Sequence, residues 1–103
     1  MTTEPLQILD GVRRAKLYDL AGRTTVRVEV YTPDGGTLLE TRDAAVTDLL
    51  SPRSVIDLTT MPVTRKIHFL QMENDIARGV ILPPIKVFRG GRGIPVKDVI
   101  LIR

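Results

Sequence analysis

The segment Ile8-Leu9-Asp10-Gly11-Val12-Arg13-Arg14-Ala15-Lys16 sets an acid, a glycine and three cations where an apolar strand gives way to a helix. The chemistry such a turn suits is the holding of a phosphate or similar anion. A helix start carries unpaired backbone N–H groups and the positive end of the helix dipole. Gly11 lets the backbone approach a ligand closely. Arg13 and Arg14 fall in the first helical turn and Lys16 one turn on, and arginine forks match phosphate oxygens in pairs. Cations at a helix N-terminus oppose the dipole, a cost that a bound anion offsets. Asp10 fits two roles: an N-cap beside solvated arginines, or a carboxylate that acts on the bound group. Residue order leaves both open.

A second basic loop, Arg89-Gly90-Gly91-Arg92-Gly93, is a further candidate anion nest. Its plainer reading is a hairpin turn with two exposed arginines. His68 is the single histidine, so a Ser-His-Asp triad would have to use it and a multi-histidine metal site is impossible. Its bland reading is a surface or half-buried helix position. Glu73 and Asp75 read as a solvated face, without metal-ligand spacing. Cysteine is absent, which removes disulfides, thiolate catalysis and thiolate metal sites together.

The elements that must position these residues follow from periodicity. Pro5 to Leu9 reads as a short strand broken by Asp10-Gly11. Val12 to Ala21 reads as a helix with Leu17, Leu20 and Ala21 facing the core, Ala15 beside them, and Gly22 as its C-cap glycine. Thr24 to Tyr31 alternates, Val26, Val28 and Val30 pointing one way and Arg27 and Glu29 the other, as in a strand with one wet face. Pro33-Asp34-Gly35-Gly36 is a turn, with Thr37 to Thr41 returning as a hairpin partner. Asp43 to Leu50 reads as a short helix, Ser51 to Ser54 as a loop and Val55 to Leu58 as extended. Thr60 is expected to cap a second helix from about Pro62 to Arg78, with Phe69, Met72 and Ile76 on a buried stripe widened by Ile67 and Leu70, and Gly79 ending it. Val80 to Pro84 leads into a strand at Ile85 to Phe88, and Val99 to Ile102 forms the last strand.

With 103 residues, 43% of them hydrophobic and 26% charged, the chain is sized for one compact domain with a real core. No repeat, low-complexity tract or linker interrupts it. The economical architecture is a single α/β (α+β) domain, a small mixed sheet with two main helices. No apolar run approaches the roughly 20 residues that span a bilayer, and the Met1 to Pro5 start lacks signal-peptide features. A cytoplasmic location and no membrane partner are expected. A net charge of +3 and a pI near 9.7 lean mildly towards anionic partners. The few aromatics, Tyr18, Tyr31, Phe69 and Phe88, argue against a stacking platform for single-stranded nucleic acid.

Leu9 to Lys16, followed by Leu20-Ala21-Gly22 and Thr25-Val26-Arg27-Val28-Glu29-Val30, resembles the core of the ParB/sulfiredoxin superfamily, in which a strand enters a Gly-x-Arg-Arg or Gly-x-His-Arg turn, then a short helix and a valine-rich strand. Ser51-Pro52 through Leu58, the helix around Phe69 to Ala77, Arg78-Gly79 and Pro83-Pro84-Ile85-Lys86-Val87 are similar to that family's helix-glycine-"PI-V" strand. There the "PI-V" strand precedes the arginine turn; here it follows. The chain thus looks circularly permuted, with the Ile85 strand expected beside the Leu6 strand. Permuted domains of this look also resemble modules of bacterial polymorphic toxins of the Rhs type.

The resemblance implies a phosphate site at Gly11, Arg13 and Arg14, with Lys16 near another basic position and Asp10 matching an acidic residue of kinase-like and toxin-like members. Val12 stands where sulfiredoxins need cysteine, which excludes their activity, and where the CTP-binding segregation proteins have glutamate. Three readings follow. In the first, the chain is an enzyme acting on phosphate esters, a nuclease or nucleotide-dependent effector: Arg13, Arg14 and Lys16 hold developing charge, Asp10 is base or magnesium ligand, and Arg89 and Arg92 close over the substrate. In the second, it is a non-catalytic module that binds a nucleotide or phosphorylated partner. In the third, it is a structural or interaction protein, such as an immunity or dimerisation domain, pairing through edge strands. A toxin module would be delivered to a target-cell cytoplasm and matched by an immunity protein.

Overall fold

The computed structural model describes residues 4–103. It is an α+β fold with two helices and a mixed sheet. The strands are β1 (Leu6–Asp10), β2 (Thr25–Tyr31), β3 (Leu38–Ala45), β4 (Leu49–Ser51), β5 (Val55–Asp57), β6 (Ile85–Arg89), β7 (Ile94–Pro95) and β8 (Ile100–Ile102); the helices are α1 (Val12–Leu20) and α2 (Val63–Ala77). Six strands form one sheet in the order β3-β2-β6-β1-β4-β7, and β5 and β8 make a separate parallel pair.

The alternation in Val26, Val28 and Val30 sets the register of the sheet. These three are buried, with Leu6, Ile8, Ile85 and Val87 beside them on the same face. β6 lies between β1 and β2. It runs parallel to β2, Val28 opposite Ile85, and antiparallel to β1, Leu6 opposite Arg89 and Asp10 opposite Lys86. The expected neighbourhood of the Ile85 and Leu6 strands is therefore present. α1 lies over the buried face, and its Val12 and Tyr18 also touch a second cluster built from Leu17, Ile56, Leu58, Phe69, Ile76 and Val99. That second cluster holds α2 and the β5–β8 pair.

Both helices end as their glycines predict. Gly22 has φ +76°; its N–H reaches Asp19 O, and Arg23 N–H reaches Tyr18 O, both at 3.0 Å. Gly79 at φ +78° repeats the arrangement, with Val80 N–H on Asp75 O at 2.8 Å. These are paired Schellman closures, which use glycine because the position is left-handed.

Four expectations about elements give way. Asp43 to Leu50 is no helix: β3 runs through to Ala45, a 3-10 turn covers Val46–Asp48, and β4 follows. Pairing with β2 along its whole length, Thr25 opposite Ala45, outweighs the weak local preference of Asp-Ala-Ala for helix. Thr60 does not cap α2; Pro62 holds the N-cap position, without a side-chain cap. Leu20 and Ala21 are exposed, because only the flank of α1 bearing Ala15 and Leu17 meets the core. Ile67 and Leu70 are exposed as well, which narrows the buried stripe of α2 to Phe69 and Ile76, with Met72 half-buried. Among the described residues no helix is long and apolar enough to cross a membrane.

Candidate functional site

Where β1 ends and α1 begins, the surface opens into a cleft of about 1100 Å³, just above the roughly 300–1,000 Å³ usual for small-ligand sites. The turn from Asp10 to Arg14 forms one part of it, with Pro83, Pro84 and Lys86 alongside. Helix α2 contributes Arg65, His68, Met72 and Asp75, and the stretch before and within β5 contributes Arg53 and Asp57. Asp10, Gly11, Arg13 and Arg14 thus share one cleft, as the sequence suggests.

The helix start itself is bare. Gly11 occupies the N-cap position at φ 113°, no side chain caps it, and the first turn of α1 holds no acid. The first backbone bond of the helix runs from Ala15 N–H to Gly11 O at 2.9 Å, so the amides of Val12, Arg13 and Arg14 precede the helix's own ladder. Asp10 is not the cap. It is the last residue of β1, beyond a register shift between Ile8 and Asp10, and its exposed carboxylate takes a 3.3 Å contact from Arg14 Nη2. Bulges of this kind re-aim side chains next to sites.

Arg14 departs from the expected role. Its Nη1 donates to Pro83 O at 2.8 Å and to Pro84 O at 3.2 Å. Its guanidinium is mostly enclosed and would lie 3.0 Å from a Cβ on Gly11. Arg14 therefore ties the Pro83-Pro84 segment to the turn, and Gly11 is glycine both for its positive φ and to leave room for that guanidinium. Lys16 departs further. It is buried, 5% exposed, and its ammonium donates to the carbonyls of Val96 and Lys97, each at 3.2 Å, with Asp19 at 3.5 Å. It bonds the carbonyls of the first two residues of a 3-10 turn (Val96–Asp98) instead of reaching the cleft.

The second basic loop is also elsewhere. Antiparallel pairing puts Arg89 opposite Leu6 and Asp10 opposite Lys86, so the loop sits at the far end of β1, roughly 13 Å along at about 3.3 Å per residue. Arg89 is held by Glu4 and Glu40, and Glu4 also takes Arg42 Nη2 at 2.8 Å. The guanidinium of Arg89 beside Glu4, with that of Arg42, holds the Glu4 carboxyl below its ordinary range. Arg92 uses its backbone N–H on Gln7 Oε1 at 2.7 Å. Neither arginine lines the cleft. The glycines of this loop serve packing: a Cβ on Gly91 would fall 2.2 Å from Gln7 Cβ, and one on Gly93 2.5 Å from Ser51 O.

Arg53, Arg65 and Lys86 are cleft cations that the sequence does not single out, and His68, which reads there as a surface or half-buried helix position, lines the cleft with them. Arg65, His68, Met72 and Asp75 share a flank of α2 at helical spacing, and Lys86 alternates with buried Ile85 and Val87; Arg53 carries no such signal. Among the described residues Arg13, Arg53, Arg65 and Lys86 form no ion pair, as is also true of Arg23, Lys66, Arg78, Arg92 and Lys97 outside the cleft, whereas Arg14, Lys16, Arg27, Arg42, Arg89 and Arg103 do. Four carboxylates line the cleft beside these cations: Asp10 is engaged by Arg14, Glu29 by the Tyr31 hydroxyl at 3.3 Å, Asp57 by Thr59, whose hydroxyl at 2.6 Å pulls the Asp57 carboxyl below its usual range, and Asp75 of α2 stands with them. Among the described residues no three His, Asp or Glu side chains group as a metal site; Asp10 is exposed and makes one 3.3 Å contact with Arg14. The uncapped backbone amides at the start of α1, with Arg13 beside them, can hold an anionic group. No protein-family model, curated protein or solved structure matches the chain.

Proposed function

We propose that the chain is a phosphate-ester-binding domain of ParB/sulfiredoxin-like type, whose cleft takes the phosphates of a nucleotide or nucleic-acid strand. One observation carries this reading: an uncapped helix start opens into a large cleft around which Arg13, Arg53, Arg65 and Lys86 stand without ion-pair partners. Backbone amides and the helix dipole meet the phosphate oxygens directly, and the four cations supply charge on either side. The adjacency of β1 and β6 supports the permuted ParB-like reading, since it sets the "PI-V" strand beside the arginine turn.

A hydrolytic effector, such as a nuclease module of a bacterial toxin, is the second reading. Asp10 and His68 favour it, because a carboxylate and an imidazole line the same cleft and could divide base and acid roles at a phosphate ester. The test is a thermal-shift screen with nucleoside triphosphates and short DNA and RNA, with and without magnesium. Phosphate-bearing ligands raise Tm in a concentration-dependent way, and Arg13→Ala with Arg65→Ala removes the rise. A rise that survives both substitutions, or none with any phosphate ligand, rejects the reading. Turnover lost in Asp10→Ala or His68→Ala, with binding kept, selects the hydrolytic one.

A further inference from the structure

The face of the six-stranded sheet opposite the core carries the ion pair of Arg27 with Asp43 and, next to Lys86, Glu29, which accepts the Tyr31 hydroxyl; two aromatic rings stand among these polar groups. Buried Ile85 and Val87 send Lys86 and Phe88 to the other side, and buried Val30 sends Tyr31 there too. β2 and β6 pair in parallel as far as Val30 opposite Val87, and Tyr31 and Phe88 are the next residues of the two strands. Lys86 confirms the common face: its ammonium lies 5.5 Å from the centre of the Tyr31 ring. Both rings are half-buried, yet neither packs into either apolar cluster. Two of the chain's four aromatics thus share this face outside both apolar clusters, and Lys86 lines the cleft as well.

We propose that this face is a base-stacking surface for single-stranded nucleic acid, continuous with the cleft. Adjacent aromatics on neighbouring strands suit consecutive bases, since every base offers a π-face and stacking tolerates any sequence. Lys86 bridges the two regions: released from Tyr31 by a stacked base, its ammonium turns to the phosphate that leads towards Arg13 and Arg53. The inference rests on the phosphate reading of the cleft and narrows its ligand from any phosphate ester to a strand of nucleotides. Four aromatics in 103 residues look too few for such a surface, but one strand pairing brings two of them together.

The experiment is fluorescence anisotropy of the full chain with labelled single strands of two, four and eight nucleotides, a duplex of eight base pairs, and a labelled nucleoside triphosphate. Binding strengthens from two to eight nucleotides and exceeds duplex binding. Tyr31→Ala and Phe88→Ala each weaken the eight-nucleotide strand about tenfold and leave the triphosphate unaffected, and Tyr31→Phe retains binding. Ultraviolet cross-linking of the wild-type chain, mapped by mass spectrometry, places the eight-nucleotide adduct on Tyr31 or Phe88, which tests the face without any variant. Triphosphate binding with no length dependence and no adduct on this face overturns the stacking surface while keeping the cleft. Length-dependent binding with the adduct on Tyr31 or Phe88, but no triphosphate binding, keeps the surface and rejects the cleft. A wild-type dimer in sedimentation that buries Tyr31 and Phe88 against a second copy overturns the proposal in favour of self-association.

Discussion

At the Gly11 turn a helix begins without a cap and without a carboxylate in its first turn; at the Arg89–Gly93 turn, two carboxylates hold Arg89 and Gln7 takes the N–H of Arg92. Both segments are glycine-arginine turns of similar composition. They differ in what the sheet register sets beside them. The antiparallel pairing of β1 with β6 delivers Arg89 to Glu4 and Glu40, and leaves the other end of β1 facing cations that are far apart in the chain. Glycine has different work in each. Gly11 supplies a positive φ and room for the Arg14 guanidinium, whereas Gly91 and Gly93 let backbone lie against Gln7 and Ser51. Among the described residues, Arg13 is the cation of the Gly11 turn without an internal partner, since Arg14 and Lys16 both donate to backbone carbonyls; at the other turn Arg89 is paired and Arg92 is held through its backbone N–H.

The contrast breaks most sharply on ligand affinity. Arg13→Ala combined with Arg65→Ala should weaken nucleoside-triphosphate binding by a hundredfold or more, from about 1.5–3 kcal/mol for each charge-assisted contact, while Arg89→Ala combined with Arg92→Ala leaves it within twofold. Calorimetric titration reads both. Equal losses in the two pairs would erase the distinction.

Stability separates the glycines next. Gly93→Ala forces a Cβ against the Ser51 carbonyl, which cannot move without its strand, and should cost about 1–3 kcal/mol in chemical denaturation. Gly11→Ala puts an alanine at φ 113° and should cost about 1–2 kcal/mol, with ligand affinity falling as Arg14 is displaced. The discriminating readout is affinity at matched folding: Gly93→Ala lowers Tm alone, and Gly11→Ala lowers both.

Arg14→Met tests whether this arginine positions the turn or grips the ligand. Loss of its bonds to Pro83 O and Pro84 O should lower stability by about 1–2 kcal/mol, and saturating ligand should still restore a full binding signal. Complete loss of binding in a folded Arg14→Met chain would give Arg14 a direct role.

The smallest effect is the acid limb of stability. Arg89 and Arg42 hold the Glu4 carboxyl below its ordinary 4.5, so the unfolded chain takes up the Glu4 proton at higher pH than the native chain. The contribution is fully present above pH 4.5 and is lost as pH falls through the lower native value. Glu4→Gln should flatten that part of the Tm-versus-pH curve and leave the cleft's affinity at neutral pH unchanged.

Much of this was legible in the residues. Valines at every second position from 26 to 30 mark β2 and its buried face, and Gly22 and Gly79 mark both helix ends through a conformation that suits glycine. Asp10-Gly11 marks the strand-to-helix turn. What was not legible is convergence. Arg53, Arg65 and Lys86 reach the cleft through the order of the sheet and the seating of α2 on the β5–β8 pair, neither of which has a local signature. Lys16 reads as a surface cation because its two carbonyl acceptors lie some eighty positions away. The Asp43–Leu50 stretch reads as helical because pairing with β2, not intrinsic preference, makes it a strand.

The central claim is that phosphate sits at the start of α1 and not at the Arg89–Gly93 loop. Backbone amide NMR of the full chain, titrated with a nucleoside triphosphate, tests it directly. The account predicts saturable shifts concentrated at Val12, Arg13 and Arg14 and extending to Arg53 and Lys86, with Gly90 to Gly93 unmoved. Shifts centred on Gly90 to Gly93, or no saturable shift at the Gly11 turn, would contradict it.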